Sequence, residues 1–441
     1  MDISSIKIII IEINNFIDNN EIYYLSLHEI LINKSKNSIM KKIIVLIIAI
    51  LTMNVANAQW STANLSTPRY DMRATSVGSK AFFAGGFDTN SNVSSVVDIY
   101  DNNTNTWSTA NLSVTKATFG ATSVGSKVFF GGGYGSNGTS SIVDIYDNNT
   151  NTWSTDNLSV ARYDISATSV GTKVLFAGGA DNGYVRFSVV DIYDNSTNTW
   201  STANLSQARP MISATSIGTK AFFAGGEIGE DNYTSVVDIY DNSTNTWSTA
   251  NLSVGRSDLS ATSVGTKVFF AGGYTNNGIS DVVDIYDNST NTWSTANLSV
   301  PRVSLSATSV GNKVYFAGGI DDNYHLSSVI DIYDNSTNTW STDNLSVARQ
   351  SLSATSIGTK VFFAGGLAPS VVNIHYYDVS SKVDIYNNGT NENNFPIGSK
   401  IQVGTDSTIS YWNGTAWIVV APGLPGQSLR FVNGIPSWIN N

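Results

Sequence analysis

The sequence predicts an all-β protein in which seven similar four-stranded units close into a ring, a seven-bladed β-propeller. The first observation is a glycine doublet that recurs every 46 or 47 residues, at Gly85-Gly86, Gly132-Gly133, Gly178-Gly179, Gly225-Gly226, Gly272-Gly273, Gly318-Gly319 and Gly365-Gly366. The second is that each copy contains four short segments with the composition of β-strands. The third is a strand-like segment that precedes the first copy, while the last copy lacks its fourth strand.

The first unit illustrates the four predicted strands. Ala74–Val77 is small and β-prone, which suits the strand nearest the axis, where seven copies crowd together. Ala81–Ala84 is hydrophobic and ends at a glycine doublet, which suits a positive φ or a close approach of backbones. Val96–Tyr100 alternates apolar and polar residues from Val97, as a half-buried strand does. Turn-forming residues follow at Asp101–Thr106, and the fourth strand begins at Trp107.

The aromatic residues recur with the glycines. Six units carry the motif Tyr-Asp-x-x-Thr-Asn-Thr-Trp, and a basic residue stands nine positions after the tryptophan. The tyrosines are Tyr100, Tyr146, Tyr193, Tyr240, Tyr286, Tyr333 and Tyr386. The basic residues are Arg69, Lys116, Arg162, Arg209, Arg256, Arg302 and Arg349. Over roughly residues 59–390 this pattern resembles the kelch repeat, and the resemblance implies a kelch-type β-propeller whose aromatic residues pack blade on blade.

The two ends of the repeat array predict how the ring closes. The seventh unit has Val383–Tyr386, but Asn393 stands where the motif has tryptophan. Trp60–Ser66 reads as a complete fourth strand without a blade of its own. We therefore predict a propeller over residues 59–394 in which residues 59–66 complete the last blade by pairing with the strand at 382–387, because closure removes open sheet edges.

The recurring basic residue has two interpretations. It could partner an aspartate of the third strand, at Asp98, Asp144, Asp191, Asp238, Asp284, Asp331 or Asp384. Alternatively, the seven cations could bind an anion along the axis. We favour the structural role, since every unit carries the residue.

One face of the ring is predicted to vary. Because strands alternate in direction, the second–third loops and the links between units lie on one face, and there the copies differ. Tyrosine-rich loops on a rigid scaffold suit recognition, although neutral drift after duplication is the alternative. The candidate ligand-binding residues are Tyr70, Asp71, Arg73, Tyr163, Asp164, Tyr184, Arg186, Glu227, Glu230, Asp231, Tyr233, Tyr274, Asp321, Tyr324, His325, His375 and Tyr376.

Composition limits the chemistry. The formal net charge of −10 argues against nucleic acid as a partner. The chain has no cysteine, so the Tyr–Cys crosslink of copper-dependent kelch-like oxidases is excluded. Glu227 and Glu230 could serve as general acid and base or, with Asp231, hold calcium, but a solvated acidic loop is the simpler interpretation. We predict no catalytic residue, no metal and no cofactor.

The two ends of the chain carry separate signals. Met40-Lys41-Lys42, the apolar run Ile43–Leu51 and Ala56-Asn57-Ala58 predict a secretory signal peptide at residues 40–58. Its apolar run is too short for a membrane span. Residues 1–39 would then be an upstream segment assigned to the protein in error. Residues 395–441 predict a small β-rich module with a hairpin at Tyr411–Trp417, centred on Asn413-Gly414.

Together these signals predict an exported kelch-repeat protein of secreted bacterial type, located outside the cell, in the periplasm or at the cell surface. We expect a monomeric scaffold, not inserted in the membrane after signal cleavage, that binds a protein or glycan through the variable face. The alternatives are a carbohydrate-active enzyme of the sialic-acid-processing type at the mouth of the central channel, and a purely structural surface protein.

Overall fold

The computed structural model describes residues 59–370 and 377–388, together with five strands between 401 and 440. The described strands fall into two compact units, the propeller within residues 58–388 and the C-terminal strands within 389–441. The predicted signal peptide and the segment before it lie outside the described residues. No helix in the described part of the chain is long and apolar enough to cross a membrane.

The propeller has seven four-stranded antiparallel sheets, as predicted. Blade 1 has Arg73–Val77, Lys80–Ala84, Val96–Asp101 and Thr106–Asn111. Blade 2 has Gly120–Val124, Lys127–Gly131, Ile142–Asp147 and Thr152–Asn157. Blade 3 has Ser166–Val170, Lys173–Ala177, Val189–Asp194 and Thr199–Asn204. Blade 4 has Ser213–Ile217, Lys220–Ala224, Val236–Asp241 and Thr246–Asn251.

Blade 5 has Ser260–Val264, Lys267–Ala271, Val282–Asp287 and Thr292–Asn297. Blade 6 has Ser306–Val310, Lys313–Ala317, Val329–Asp334 and Thr339–Asn344. Blade 7 has Ser353–Ile357, Lys360–Ala364 and Lys382–Asn387, and Gln59–Asn64 is its fourth strand. Four second–third loops form small hairpins, Tyr134–Gly135 with Gly138–Thr139, Glu227–Gly229 with Asn232–Tyr233, Tyr274–Thr275 with Gly278–Ile279, and Leu367–Pro369 with Tyr377–Val379.

The core lies between the blades. In blade 1, Ala81, Phe82, Phe83 and Ala84 have no exposed surface. The Phe82 ring lies 5.0 Å from the ring of Tyr146 on the next blade, and the equivalent aromatic pair recurs around the ring. Each such pair contributes about 0.5–1.5 kcal/mol beyond the area it buries. The prediction that tyrosine packs blade on blade is confirmed.

The N-terminal strand closes the propeller, as predicted. Gln59–Asn64 pairs antiparallel with Lys382–Asn387, and Trp60 stands opposite Tyr386. The two rings are 5.0 Å apart. Trp60 Nε1 also donates a 2.7 Å hydrogen bond to Asp343 Oδ2 on blade 6. The first strand therefore seals blade 7 and also ties it to its neighbour.

The recurring basic residue pairs with the third-strand aspartate in all seven blades, so its predicted structural role is confirmed. Arg302 is fully buried; its Nη1 donates to Gly318 O and Val329 O, and its Nη2 bonds Asp331. Burial lowers the pKa of Arg302 to about 10, and Asp331 opposes that shift. Because all seven basic side chains are buried, an anion on the axis has no access to them.

The glycine doublet has the role expected of it. Gly85 and Gly86 have φ values of 63° and 89°, where a side chain is strained. A Cβ on Gly85 would also stand 2.2 Å from the backbone oxygen of Lys116, which belongs to the link to the next blade. In the separate C-terminal unit Ile409–Trp412 pairs with Trp417–Val420, so a hairpin is present, but four residues separate the paired strands instead of Asn413-Gly414 alone.

Candidate binding face and channel mouth

The two faces of the propeller differ in composition. The variable-loop face consists of the second–third loops and the links between blades. The opposite face consists of the first–second and third–fourth turns, and its structure repeats around the ring. There a lysine of one blade lies over a tyrosine of the next, as Lys80 does 5.1 Å from the ring centre of Tyr146. The same tyrosine hydroxyl donates to Asn151 Oδ1 at 2.6 Å.

On the variable-loop face, one residue from each link stands beside the axis in a left-handed conformation, with φ between 49° and 56°. These seven residues are Asp71, Thr118, Asp164, Met211, Asp258, Ser304 and Ser351. Backbone hydrogen bonds join neighbouring links, for example Asp164 N to Thr118 O at 2.8 Å and Ser351 N to Ser304 O at 3.0 Å. Such bonds join five of the seven neighbouring pairs of links, and we call this ring of links the collar.

Inside this collar the axis opens into a cavity of about 280 Å³, which we call the channel mouth. Its wall includes Asp71, Arg73, Asp164, Asp258 and several serines of the links and first strands. Arg73 replaces the serine or glycine that the other first strands carry at this position. Its Nε donates to Phe119 O at 3.0 Å, and its Nη1 donates to Met72 O at 3.2 Å. The mouth therefore combines three carboxyl groups with one guanidinium.

The carboxyl groups of the mouth have altered acidity. Burial raises the pKa of Asp164 to about 7, with a contribution from Asp258, while Arg73 opposes the shift. Burial and Asp71 raise the pKa of Asp258 to about 6. Asp258 is exposed to the solvent in the mouth, and its pKa is shifted less than that of Asp164. Burial also raises the pKa of Asp71. Such shifts in a concave site are typical of functional carboxyl groups.

Two loops end in exposed tyrosines with left-handed backbones. Tyr184 has φ 58° and Tyr324 has φ 62°, and their exposed fractions are 71% and 76%. An aspartate builds each loop, since Asp181 Oδ1 accepts from Gly183 N and Val185 N, and Asp321 Oδ1 accepts from Asn323 N and His325 N. A tyrosine at such a φ costs about 1 kcal/mol relative to glycine. Packing explains little of either choice, because both residues lie mostly in solvent, and the side-chain partner of Tyr184 among the described residues is the Tyr163 hydroxyl.

Neighbouring loops contact one another around the rim. Arg186 Nη2 donates to Glu227 Oε1 at 2.5 Å, which joins the loops of blades 3 and 4. Ile279 N donates to Asp322 Oδ1 at 3.0 Å, which joins blades 5 and 6. Tyr377 Oη donates to the backbone oxygen of Tyr324 at 3.0 Å. These contacts preorganise the rim.

The exposed apolar side chains of the described propeller are confined to the variable-loop face. Every exposed large hydrophobic side chain of the described propeller lies in a second–third loop or a link between blades. These are Tyr134, Tyr184, Val185, Ile228, Tyr274, Val300, Tyr324, Val347 and Tyr377. Singly exposed residues are normal, but their confinement to one face is typical of an interaction surface.

Charge is unevenly distributed in the same way. The variable-loop face carries twelve acidic residues, Asp71, Asp88, Asp164, Asp181, Glu227, Glu230, Asp231, Asp258, Asp281, Asp321, Asp322 and Asp378, against the basic Arg73, Arg186 and Lys382. The opposite face carries six acidic residues, Asp101, Asp147, Asp194, Asp241, Asp287 and Asp334, against seven lysines, Lys80, Lys127, Lys173, Lys220, Lys267, Lys313 and Lys360. One face is strongly acidic and the other is nearly neutral.

The candidate residues predicted from sequence fall into three groups. Asp71, Arg73 and Asp164 meet in the channel mouth. Tyr184, Arg186, Glu227, Glu230, Asp231, Tyr233, Tyr274, Asp321, Tyr324 and His325 stand in the rim loops. Tyr70 and Tyr163 lie between rim and mouth, where they contact Phe87 and Tyr134. His375 and Tyr376 lie outside the described residues.

Asp258 was missing from that set. It stands two residues after Arg256, as Asp71 follows Arg69 and Asp164 follows Arg162, so the shared position was visible in the sequence. The possible calcium site at Glu227, Glu230 and Asp231 is not supported, because Glu227 forms an ion pair with Arg186. Among the described residues, no three or more histidine, aspartate or glutamate side chains are grouped closely enough to hold a metal ion.

Comparison with known proteins agrees with the repeat pattern. The family model described as KLHDC2/KLHL20/DRC7 Kelch-repeats domain matches residues 164–366, and the model described as Kelch motif matches residues 68–112. A solved structure titled "Structure of YjhT" is 17% identical, with a TM-score of 0.52, and the match covers 64% of this chain and 99% of that one. At this identity the likeness concerns the fold alone. No curated protein sequence matches the chain.

Proposed function

We propose that this kelch-repeat β-propeller is an exported binding scaffold that holds a protein or glycan ligand on its variable-loop face. The observation that carries the proposal is the confinement of the exposed tyrosines and aliphatic side chains of the described propeller to that face. Export rests on the signal-peptide pattern of residues 40–58. N-terminal sequencing of the exported protein should begin at Gln59.

The exposed tyrosines are suited to binding. Tyrosine supplies a large contact area for the loss of few rotamers, and it is enriched among residues that dominate interfaces. The loops that carry Tyr184 and Tyr324 are held by their own aspartates and by neighbouring loops. A preorganised rim loses less entropy when a ligand binds.

Ligand capture tests the proposal. Immobilised wild-type protein is exposed to a glycan array and to extracellular protein extracts, and the experiment is repeated with Tyr184→Ala and Tyr324→Ala. The matched controls are Thr104→Ala and Thr244→Ala, which change exposed turn residues of the opposite face. We expect the tyrosine variants to lose captured ligands that the threonine variants retain. Equal capture by all four variants would refute binding through this face.

The second candidate is a carbohydrate-active enzyme at the channel mouth. It is favoured by the raised pKa values of Asp164 and Asp258, because a carboxyl group that titrates near neutrality can act as a general acid or base. A sialoside is anionic, however, and the mouth carries three carboxyl groups against one guanidinium. Incubation with sialosides and with neutral glycosides, compared between wild type and Asp164→Asn, tests this candidate. Turnover by the wild type that the variant loses would support it.

A further inference from the structure

We propose that the ligand of the variable-loop face is a basic polypeptide segment, with lysine or arginine side chains entering the channel mouth. This inference rests on the proposed binding function and adds the chemical class of the partner.

The charge distribution is the first argument. The buried basic residues and the third-strand aspartates cancel in pairs within the blades. Twelve acidic against three basic residues stand on the variable-loop face, whereas six acidic residues face seven lysines on the opposite one. Almost the whole excess of negative charge is therefore presented on the face that also carries the exposed tyrosines. A one-sided field attracts and orients a partner of opposite sign.

The channel mouth supplies the second argument. Asp71, Asp164 and Asp258 come from blades 1, 3 and 5, and Arg73 is the basic residue of the lining. Two guanidinium nitrogens of Arg73 are already bound to backbone oxygens. Burial, together with repulsion among these carboxylates, raises the pKa of Asp164 and Asp258, so ionising them together here is unfavourable. A ligand cation in the mouth relieves that penalty because it supplies a nearby opposite charge.

The third argument is the chemistry of the rim. Lysine already packs over tyrosine on the opposite face, at 5.1 to 5.6 Å from the ring centre. Tyr184 and Tyr324 offer the same attraction to a ligand cation. Val185, next to Tyr184 in the chain, and Ile228 in the blade 4 loop add exposed aliphatic surface. Aliphatic contacts together with cation-binding sites suit the side chains of a polypeptide better than a polyhydroxylated sugar.

The test measures binding of a defined probe to the purified protein. The probe is a fluorescein-labelled peptide of alternating lysine and glycine, followed by fluorescence anisotropy at about 20 and about 150 mM salt. The mouth variant combines Asp71→Asn, Asp164→Asn and Asp258→Asn. The matched control combines Asp101→Asn, Asp194→Asn and Asp287→Asn, which alters the same three blades on the opposite face by the same charge. Asn387 occupies the equivalent turn position in blade 7, so asparagine is compatible with that turn.

We expect the mouth variant to weaken peptide binding at least tenfold and the control to weaken it less than about threefold, with stronger binding at low salt. Equal effects of the two variants, or no peptide binding at low salt, would overturn the inference. So would tighter binding of a labelled chitosan oligosaccharide than of the peptide, since the ligand would then be an amino glycan. Captured ligands that depend on Tyr184 and Tyr324 but are not basic would overturn this inference and leave the binding function standing.

Discussion

Removal of the Trp60 side chain tests how the ring is closed. In the folded protein Trp60 Nε1 donates to Asp343 Oδ2 at 2.7 Å, and its ring lies 5.0 Å from Tyr386 and 6.3 Å from Phe363. A hydrogen bond to a charged group contributes about 1.5–3 kcal/mol, and an aromatic pair contributes about 0.5–1.5 kcal/mol. Because Trp60 is only partly buried, we expect Trp60→Ala to lower the free energy of unfolding by about 3 kcal/mol.

Blade 3 offers a matched control. Trp200 Nε1 donates to Asp156 Oδ2 at 2.7 Å, and its ring lies 5.2 Å from Tyr193 and 6.2 Å from Phe176. Its surroundings thus match those of Trp60, but its strand is continuous with the rest of its blade.

Urea unfolding gives the two stability losses, and native-state hydrogen exchange gives their location. We expect similar losses, but Trp60→Ala should also speed exchange selectively in residues 59–64 and 382–387, because the end strand can detach without the rest of the ring. A cost below about 0.5 kcal/mol for Trp60→Ala, beside several kcal/mol for Trp200→Ala, would show that the first strand does not seal blade 7.

Three further predictions follow from the buried pairs, the mouth and the rim. Arg256→Ala should lower the free energy of unfolding by about 3–5 kcal/mol in chemical denaturation, because it leaves the buried Asp284 without its partner. Arg256→Lys should cost much less, since Lys116 occupies this position in blade 2. Equal losses would contradict the pairing of this cation with the aspartate. Folding raises the pKa of Asp164 from 3.8 to about 7, so its charge destabilises the folded state increasingly as the pH rises between these values. Asp164→Asn should therefore raise the Tm more at pH 8 than at pH 5, and a pH-independent difference would argue against the shift. Tyr324→Asn should keep or raise the Tm, because asparagine tolerates a φ of 62°, while ligand capture falls; a large loss of stability would give that tyrosine a structural role instead.

Much of the fold was predictable because the chain can be compared with itself. The glycine doublets mark positive φ values, the tyrosines mark contacts between blades, and the unpaired strand at Trp60 implies closure with residues 382–387. The pairing of each basic residue with a third-strand aspartate was predictable because both recur in all units. These contacts lie within one unit or between adjacent units, so they recur at the same spacing in the sequence as the repeat itself.

The channel mouth and the rim depend instead on the closed ring. Asp71, Asp164 and Asp258 belong to alternate blades, so only the curvature of the whole propeller brings their carboxyl groups to one cavity. The pairing of Arg186 with Glu227 joins side chains that depart from the repeat, so no period predicts it. The sequence alone determined the blades, their number and their closure, because repeated local packing encodes them. The tertiary structure decided which of the divergent side chains meet, because that depends on distances across the ring.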